Sequence, residues 1–270
     1  MKVKREICIA GKVIDITVKV PSGNHRSKRN PKINITKEKV QKNNERLAAK
    51  NLCRLFNANC DSSWWHDTLT YEFVKSVPEA KKIFNNFKSR VKRECKKIGI
   101  EFKWIVTTEF KNKRIHHHLI TNAPLDMVKK QWREGHVLPR PLDEGPNYVR
   151  LAEYIIKETK KTFREGEAPK TRYSHSRNLI IPEVKVEYVE EKMLFEDPKP
   201  WKGYFIDTDT LRRYEHPITK LEHLEYTMVS LKESPRVKRY YKGKKKAKEN
   251  FNRYINSIEK QISLFDDRLV

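Results

Sequence analysis

The spacing of apolar residues changes several times along the chain, and each change predicts an element. Residues 6–20, EICIAGKVIDITVKV, alternate apolar and polar about Ala10-Gly11 and predict a β-hairpin over 3–20. The turn-rich, basic stretch 21–35 reads as a loop. From a Thr36 cap to about Asn57, Val40, Leu47, Leu52, Leu55 and Phe56 recur at helical spacing. WWHDTLTYEF (64–73) is rich in aromatic and β-branched residues and predicts a strand. Pro78 opens a helix over 78–98, with Ile83, Phe84, Phe87, Val91 and Cys95 on one stripe and Lys and Arg on the other face, and Gly99 ends it.

Two strands follow, 101–110 and 114–122, joined by a short turn at KNK. Residues 124–147 predict a short helix and a loop, 148–161 a third long helix, and 163–178 a basic loop. Beyond Pro182 the pattern predicts short strands near 184–189 and 203–206, then a helix over 217–232. A charge run (235–248) and an amphipathic segment (249–265) close the chain. The order is not the strand–helix alternation of a doubly wound fold. It predicts an α+β protein, an antiparallel sheet of about five strands with helices packed on it, plus a mixed C-terminal extension. The expected division is a main domain over 1–182, an extension over 183–233 and a basic tail over 234–270.

Charge sharpens this picture. The 270 residues carry a formal net charge of +24, with 59 Lys and Arg against 35 Asp and Glu. That imbalance costs self-repulsion and points to a polyanionic partner, nucleic acid first. No apolar run approaches a membrane span, and the N-terminus makes a poor signal peptide. Cys8, Cys53, Cys60 and Cys95 show no CxxC spacing and read as reduced thiols, so the expected location is the cytoplasm.

The chemistry centres on RIHHHLITN (114–122). Side chains alternate along a strand, so His116 and His118 share a face while His117 points the other way. Two imidazoles so placed are half of a metal site. Across the KNK turn, the hairpin partner brings the carboxylate of Glu109 beside them. His, His and a carboxylate leave positions for water and phosphate oxygens on a divalent ion. The other reading of the same residues is a surface strand with a fortuitous histidine run. On the next helix Tyr154 and Lys157, at i and i+3, share a face, the pattern of a phenol nucleophile beside a cation or of a half-buried Tyr beside a snorkelling Lys.

In the order TLTYE (68–72), Glu109 with His116-His117-His118, then Tyr154 with Lys157, the chain resembles the HUH endonuclease superfamily, and within it the single-tyrosine rolling-circle replication initiators of bacterial plasmids, phages and integrative elements. RYSHSRNL (172–179) also resembles a segment that such proteins carry after the nucleophile helix. The likeness spans about residues 36–182. His117 departs from the family pattern, which has a bulky apolar residue there; a neutral imidazole is expected to pack in that slot.

The resemblance implies a ferredoxin- or RRM-like palm and a Mg2+ or Mn2+ ion held by Glu109, His116 and His118. It implies that Tyr154 attacks a phosphodiester to leave a 5′-phosphotyrosine and a free 3′-hydroxyl primer, with Lys157 stabilising the developing charge. Two-tyrosine relatives carry a second nucleophile four residues before the last; here that residue is Arg150. The expected substrate is single-stranded or melted origin DNA. Thr70 in the TLTY strand is an expected DNA contact, and Trp65, with Trp64, Trp132 and Tyr173, is a candidate to stack unpaired bases; the Trp64-Trp65 pair fits a half-core, half-surface position equally well. Lys170, Arg172 and Arg177 are expected to meet phosphates.

Near the C-terminus Gln261-Ile262-Ser263-Leu264-Phe265 resembles the peptide by which bacterial polymerases dock on the sliding clamp; the same residues also fit the apolar stripe of a terminal helix. On the first of these readings the sliding clamp is an expected partner; a host helicase is another. A relaxase or transposase with the same chemistry, and a non-catalytic basic DNA-binding protein, are the alternatives.

Overall fold

The computed structural model describes residues 2–21, 38–111, 114–142, 145, 147–159, 171–216 and 220–232. The elements run β1 (Lys2–Ala10), β2 (Val13–Lys19), α1 (Glu38–Asn59), β3 (Trp65–Thr70), α2 (Val77–Lys97), β4 (Trp104–Lys111), β5 (Arg114–Thr121), α3 (Leu125–Gln131), β6 (Val137–Pro141), α4 (Val149–Glu158), β7 (Ser174–His175), β8 (Val184–Glu190), a 3-10 turn (Glu191–Leu194), β9 (Tyr204–Glu215) and β10 (Glu222–Ser230). They form two five-stranded sheets, β8-β1-β2-β10-β9 and β6-β3-β5-β4-β7, with every pair antiparallel. The class is α+β, but with two sheets rather than the expected one.

The chain divides into two compact units. The first takes described residues from Met1–Cys60, Glu144–Glu158 and Leu179–Ser234; the second takes Asp61–Asp143 and Thr159–Asn178. An expected boundary at 182 does not follow the sheets. The N-terminal hairpin, turned at Gly11 with φ 68°, pairs with β8 on one side and β10 on the other, both from the expected extension. The extension holds no long helix among the described residues. Residues 222–230, expected within a helix, form β10, because Leu224, Tyr226 and Met228 also alternate with period two and meet Val18, Ile16 and Ile14 of β2. Their apolar face joins Val3 and Ile7 in one core beneath Leu194 of the 3-10 turn.

The opposite face of that sheet is polar and carries α1. Arg46, Lys50 and Arg54, four residues apart on one helix stripe, meet acids of the sheet. Arg46 pairs with Glu225 at 2.7 Å, Lys50 with Glu225 at 3.2 Å and Asp15 at 3.3 Å, and Arg54 with Asp15 at 2.7 Å. The apolar side of α1 holds α4: Phe56 meets Tyr148 edge-on at 6.3 Å, and the Tyr148 N–H donates to Asn57.

In the second unit, α2 starts from a full capping box between Ser76 and Glu79. Its stripe of Phe84, Phe87, Val91 and Cys95 packs with Met127 and Val128 of α3 on Leu69, Val106, Ile115 and Leu119 of the sheet. These four sheet residues fix one face of β3, β4 and β5 as the core face. The other face holds the candidate site.

Candidate functional site

Strand β5 lies between β3 and β4, and the register defines what its outer face presents. His116 stands opposite Thr70 on one side and Glu109 on the other; His118 stands opposite Thr68 and Thr107. The three expected ligands therefore share one face, as alternation and the hairpin required. His118 Nε2 lies 3.2 Å from Glu109 Oε2, and its Nδ1 lies 3.1 Å from His66 Nε2 and 3.4 Å from Thr68 Oγ1. Both Glu109 and His118 are buried, and His116 is half-buried.

His66 is the neighbour that pattern reading missed. It precedes the TLTY stretch by two residues and shares its face with Thr68 and Thr70. Burial, with His118 beside it, lowers its pKa to about 4, so it is a neutral ring at neutral pH. Two tautomer chains are compatible with these contacts. In one, His66 Nε2–H donates to His118 Nδ1 and His118 Nε2–H donates to Glu109. In the other, His118 Nδ1–H donates to His66, and a bare Nε2 faces the Glu109 carboxylate.

The second arrangement suits a cation. Two lone-pair donors 3.2 Å apart fit one ion with bonds of about 2.1 Å at near a right angle. The His66 contact then orients the ligand ring from behind. Among the described residues, no three His, Cys, Asp or Glu side chains are gathered as a finished cation cage. Glu109 and His118 meet each other directly, and His116 stands across the strand from Glu109.

His117, on the core face, is a different object. It is 2% exposed, 4.5 Å from the Phe84 ring, with its Nε2 2.8 Å from the Tyr71 hydroxyl and its Nδ1 3.0 Å from Thr108 Oγ1. Tyr71 donates its own proton to the Ala80 carbonyl, so its oxygen accepts from His117 Nε2–H. Thr108 then donates to Nδ1. One neutral tautomer satisfies every partner, and burial depresses the pKa to about 3. A neutral imidazole does pack in the expected apolar slot.

The other expected residues divide. Thr70 is on the site face, but its hydroxyl is engaged with the backbone of His136, donating to the carbonyl at 3.3 Å and accepting from the N–H at 3.2 Å. Trp65 is half-buried on the core side of β3, in line with Leu69, and not on the histidine face. Trp64 and Trp132 are each 4% exposed, and the Trp132 indole donates to the Thr70 carbonyl; burial removes both as base stackers. Tyr173 is half-buried. Arg172 and Arg177 flank β7, a fifth strand on the β4 edge where a loop was expected. Arg177 is exposed and Arg172 half-buried. Lys170 and the peptide Gln261–Phe265 lie outside the described residues.

Tyr154 and Lys157 stand on α4 in the first unit. Ala152, Ile155 and Ile156 are the buried positions of that helix, while Tyr154 is 40% exposed and Lys157 is exposed. Arg150 is exposed as well, and Tyr148 is buried against Phe56, which leaves it no access to a substrate.

One more residue extends the site. The Thr70 N–H donates to the His136 carbonyl at 3.0 Å, continuing the β3–β6 register by one residue. His136 is therefore in line with Thr70, His116 and Glu109, and it is exposed. Gly135 permits this close approach: a Cβ there would lie 2.4 Å from the Thr70 carbonyl oxygen. A histidine at a loop end, 18 residues after His118, carries no periodic signal.

Residues 65–163 match the model of a known family of replication-associated proteins, the ORF2 type. This segment contains β3, β4, β5 and α4, and so the TLTY strand, Glu109, the three histidines, Tyr154 and Lys157. No curated protein and no solved structure matches the chain.

Proposed function

We propose that the protein nicks and rejoins single-stranded or melted DNA at a replication origin, so that a polymerase can extend the 3′-hydroxyl it exposes. The observation that carries this reading is the juxtaposition of Glu109, His116 and His118 on one sheet face, inside a segment that matches a replication-associated family. Charge supports a nucleic-acid substrate: lysines and arginines outnumber carboxylates in the unit that carries these residues.

In this mechanism Glu109, His116 and His118 would hold a divalent ion, Mg2+ or Mn2+, which when bound withdraws charge from the scissile phosphate. His66 holds the His118 ring through its Nδ1 and keeps Nε2 turned toward Glu109. The Tyr154 oxygen, having lost its proton, attacks phosphorus in line; the Tyr O–P bond forms as the P–O3′ bond breaks. The departing oxygen takes up a proton and becomes the 3′-hydroxyl. Lys157, one helical turn from Tyr154, stabilises the phenolate. The bond energy is kept in the phosphotyrosine, so an incoming 3′-hydroxyl reverses the step and seals a strand. His136, exposed at the end of the Glu109–His116–Thr70 row, would meet the phosphate beside the scissile one. Arg172, Arg177 and Lys170 would position the backbone, and the tail peptide Gln261–Phe265 would recruit the sliding clamp, with a helicase opening the duplex ahead.

The test is a covalent one. Incubated with labelled single-stranded DNA carrying its cognate origin and Mn2+, the wild-type protein yields a DNA adduct that maps to Tyr154. Tyr154→Phe binds the same DNA with unchanged affinity and yields none. An adduct that persists in Tyr154→Phe, or wild-type protein that binds the origin but never cuts it, removes the reading.

A further inference from the structure

Behind the histidine sheet lies a second charged surface that the nicking chemistry does not use. The apolar stripe of α2 faces the core, which fixes the direction of everything else on that helix. Lys82, Arg93 and Lys96 project outward and are exposed; beside them α3 and the turn after it expose Lys129, Lys130 and Arg133. Of the acids nearby, Asp126 is exposed in the first turn of α3, beside Lys129 and Lys130, and three others are committed elsewhere. Glu79 closes the Ser76 cap, Glu94 pairs with Lys97 at 2.7 Å, and Glu134 pairs with Lys75 at 3.8 Å. Among the described residues none of the six cations has an ion pair.

Their fields overlap. Arg90 of α2, which donates to the Gln131 carbonyl at the end of α3, is held below the usual guanidinium range by burial first, and then by Arg133 beyond α3 and Arg93 of its own helix. The Glu94 carboxylate is stabilised mainly by its Lys97 hydrogen bond, and also by Lys130 of the other helix and Arg93 of its own. The cations of α2 and α3 thus act as one patch, and each raises the cost of its neighbours until an anion arrives.

We propose that this outer face of α2 and α3 binds duplex DNA through its phosphates. The choice of duplex follows from what the patch contains. The outward positions between the cations are Asn86 and Ser89, with no aromatic ring on which an unpaired base could stack. From Lys82 to Lys96 the ridge is about 21 Å long, about six base-pair steps of backbone. The patch lies on the helix side of the sheet, turned away from His116 and His118, so the DNA it holds is a different stretch from the strand at the histidines. The proposal rests on the reading of the protein as one that acts on DNA, but not on the nicking step.

The experiment uses the full chain in a Tyr154→Phe background, so that only binding is read. Lys82, Arg93, Lys96, Lys129, Lys130 and Arg133 are changed together to Gln, and in two sets of three should the sixfold variant fail to fold, as judged by its thermal midpoint. Affinity is measured over a range of salt for a 30-base-pair duplex without an origin and for a 12-nucleotide single strand. The variant is expected to bind duplex at least tenfold more weakly at 100 mM salt, with the salt slope reduced by about 0.9 for each phosphate left without a cation. Affinity for the single strand is expected to stay within about twofold of the parent. Unchanged duplex affinity and slope would overturn the proposal. Equal losses on duplex and single strand would overturn the duplex assignment and leave a general polyanion surface. Covalent-adduct formation by the protein with Tyr154 intact is scored separately, so failure of nicking and failure of this surface give different results.

Discussion

His117 and His118 are neighbours in sequence with the same side chain, and the sheet gives them opposite fates. His117 sits among Phe84, Tyr71 and Trp132, with both ring nitrogens satisfied by hydroxyls. His118 sits between a carboxylate and a second imidazole. The first arrangement is closed: every donor has one acceptor, and the ring has nothing left to offer a ligand. The second places ionisable partners on both nitrogens: one is oriented by His66, and the other is turned toward Glu109, the pair that would hold the proposed cation. The difference teaches that histidine count says nothing about function until the face is known.

The largest test of this comparison is on activity. His118→Ala is expected to reduce origin nicking by about 10²–10³-fold or more, with the thermal midpoint nearly unchanged. His117→Leu is expected to keep nicking within a fewfold of wild type, since the slot it fills is apolar. Single-turnover cleavage of the labelled origin strand, with the thermal midpoint measured in parallel, checks both.

Stability should show the reverse order. His117→Ala removes a buried ring and strands two hydroxyls, at a cost of about 2–4 kcal/mol; His117→Leu strands the same hydroxyls but keeps most of the volume, at a cost of about 1–2 kcal/mol. The pH dependence sharpens the point. The folded pKa of His117, about 3, lies below its ordinary value near 6.5. Its contribution is therefore complete above pH 6.5 and is lost as pH falls toward 3, by up to about 1.4 kcal/mol per unit. In urea unfolding, the stability of His117→Leu relative to wild type should therefore rise as pH falls from 7 to 4.

Asp67 runs the other way on the same core face. It is fully buried, neither carboxylate oxygen has a hydrogen-bond partner among the described residues, and burial pushes its pKa up to about 7. A raised carboxyl favours the folded state below the ordinary value near 4, and that advantage is lost as pH rises to about 7. Between pH 4 and 6.5 the two residues oppose each other. Asp67→Asn is expected to be more stable than wild type by about 2 kcal/mol at pH 8 and to lose the advantage near pH 4, by the same urea measurement.

The smallest expected effect is at Thr70. Its hydroxyl is already held by the His136 backbone, so Thr70→Val should weaken binding of the single-stranded origin by no more than about threefold. A larger loss, in an equilibrium binding assay, would mean that DNA displaces the loop from Thr70.

Much of the site was legible because its rules are local. Alternation put His116 and His118 together, the antiparallel register that sets Lys111 opposite Arg114 brought Glu109 across, and helical spacing paired Tyr154 with Lys157. What escaped had no local signature. Burial of Trp132 under Thr70 and Tyr71, and the arrival of His136 beside Thr70, depend on where a loop lands. His66 stood in the same strand as the motif, and period-two counting back from Thr70 would have found it.

The sequence by itself determined the periods: which residues of each strand and helix face together, where α2 begins, and that the triple histidine must split across two faces. Only the tertiary structure decided which strands meet. The N-terminal hairpin pairs with segments more than 170 residues away, and residues 222–230 become a strand because β2 and β9 stand ready on either side. Side-chain direction is a property of a few consecutive dihedrals, whereas a strand's partner is chosen by burial and backbone hydrogen bonding summed over the whole sheet.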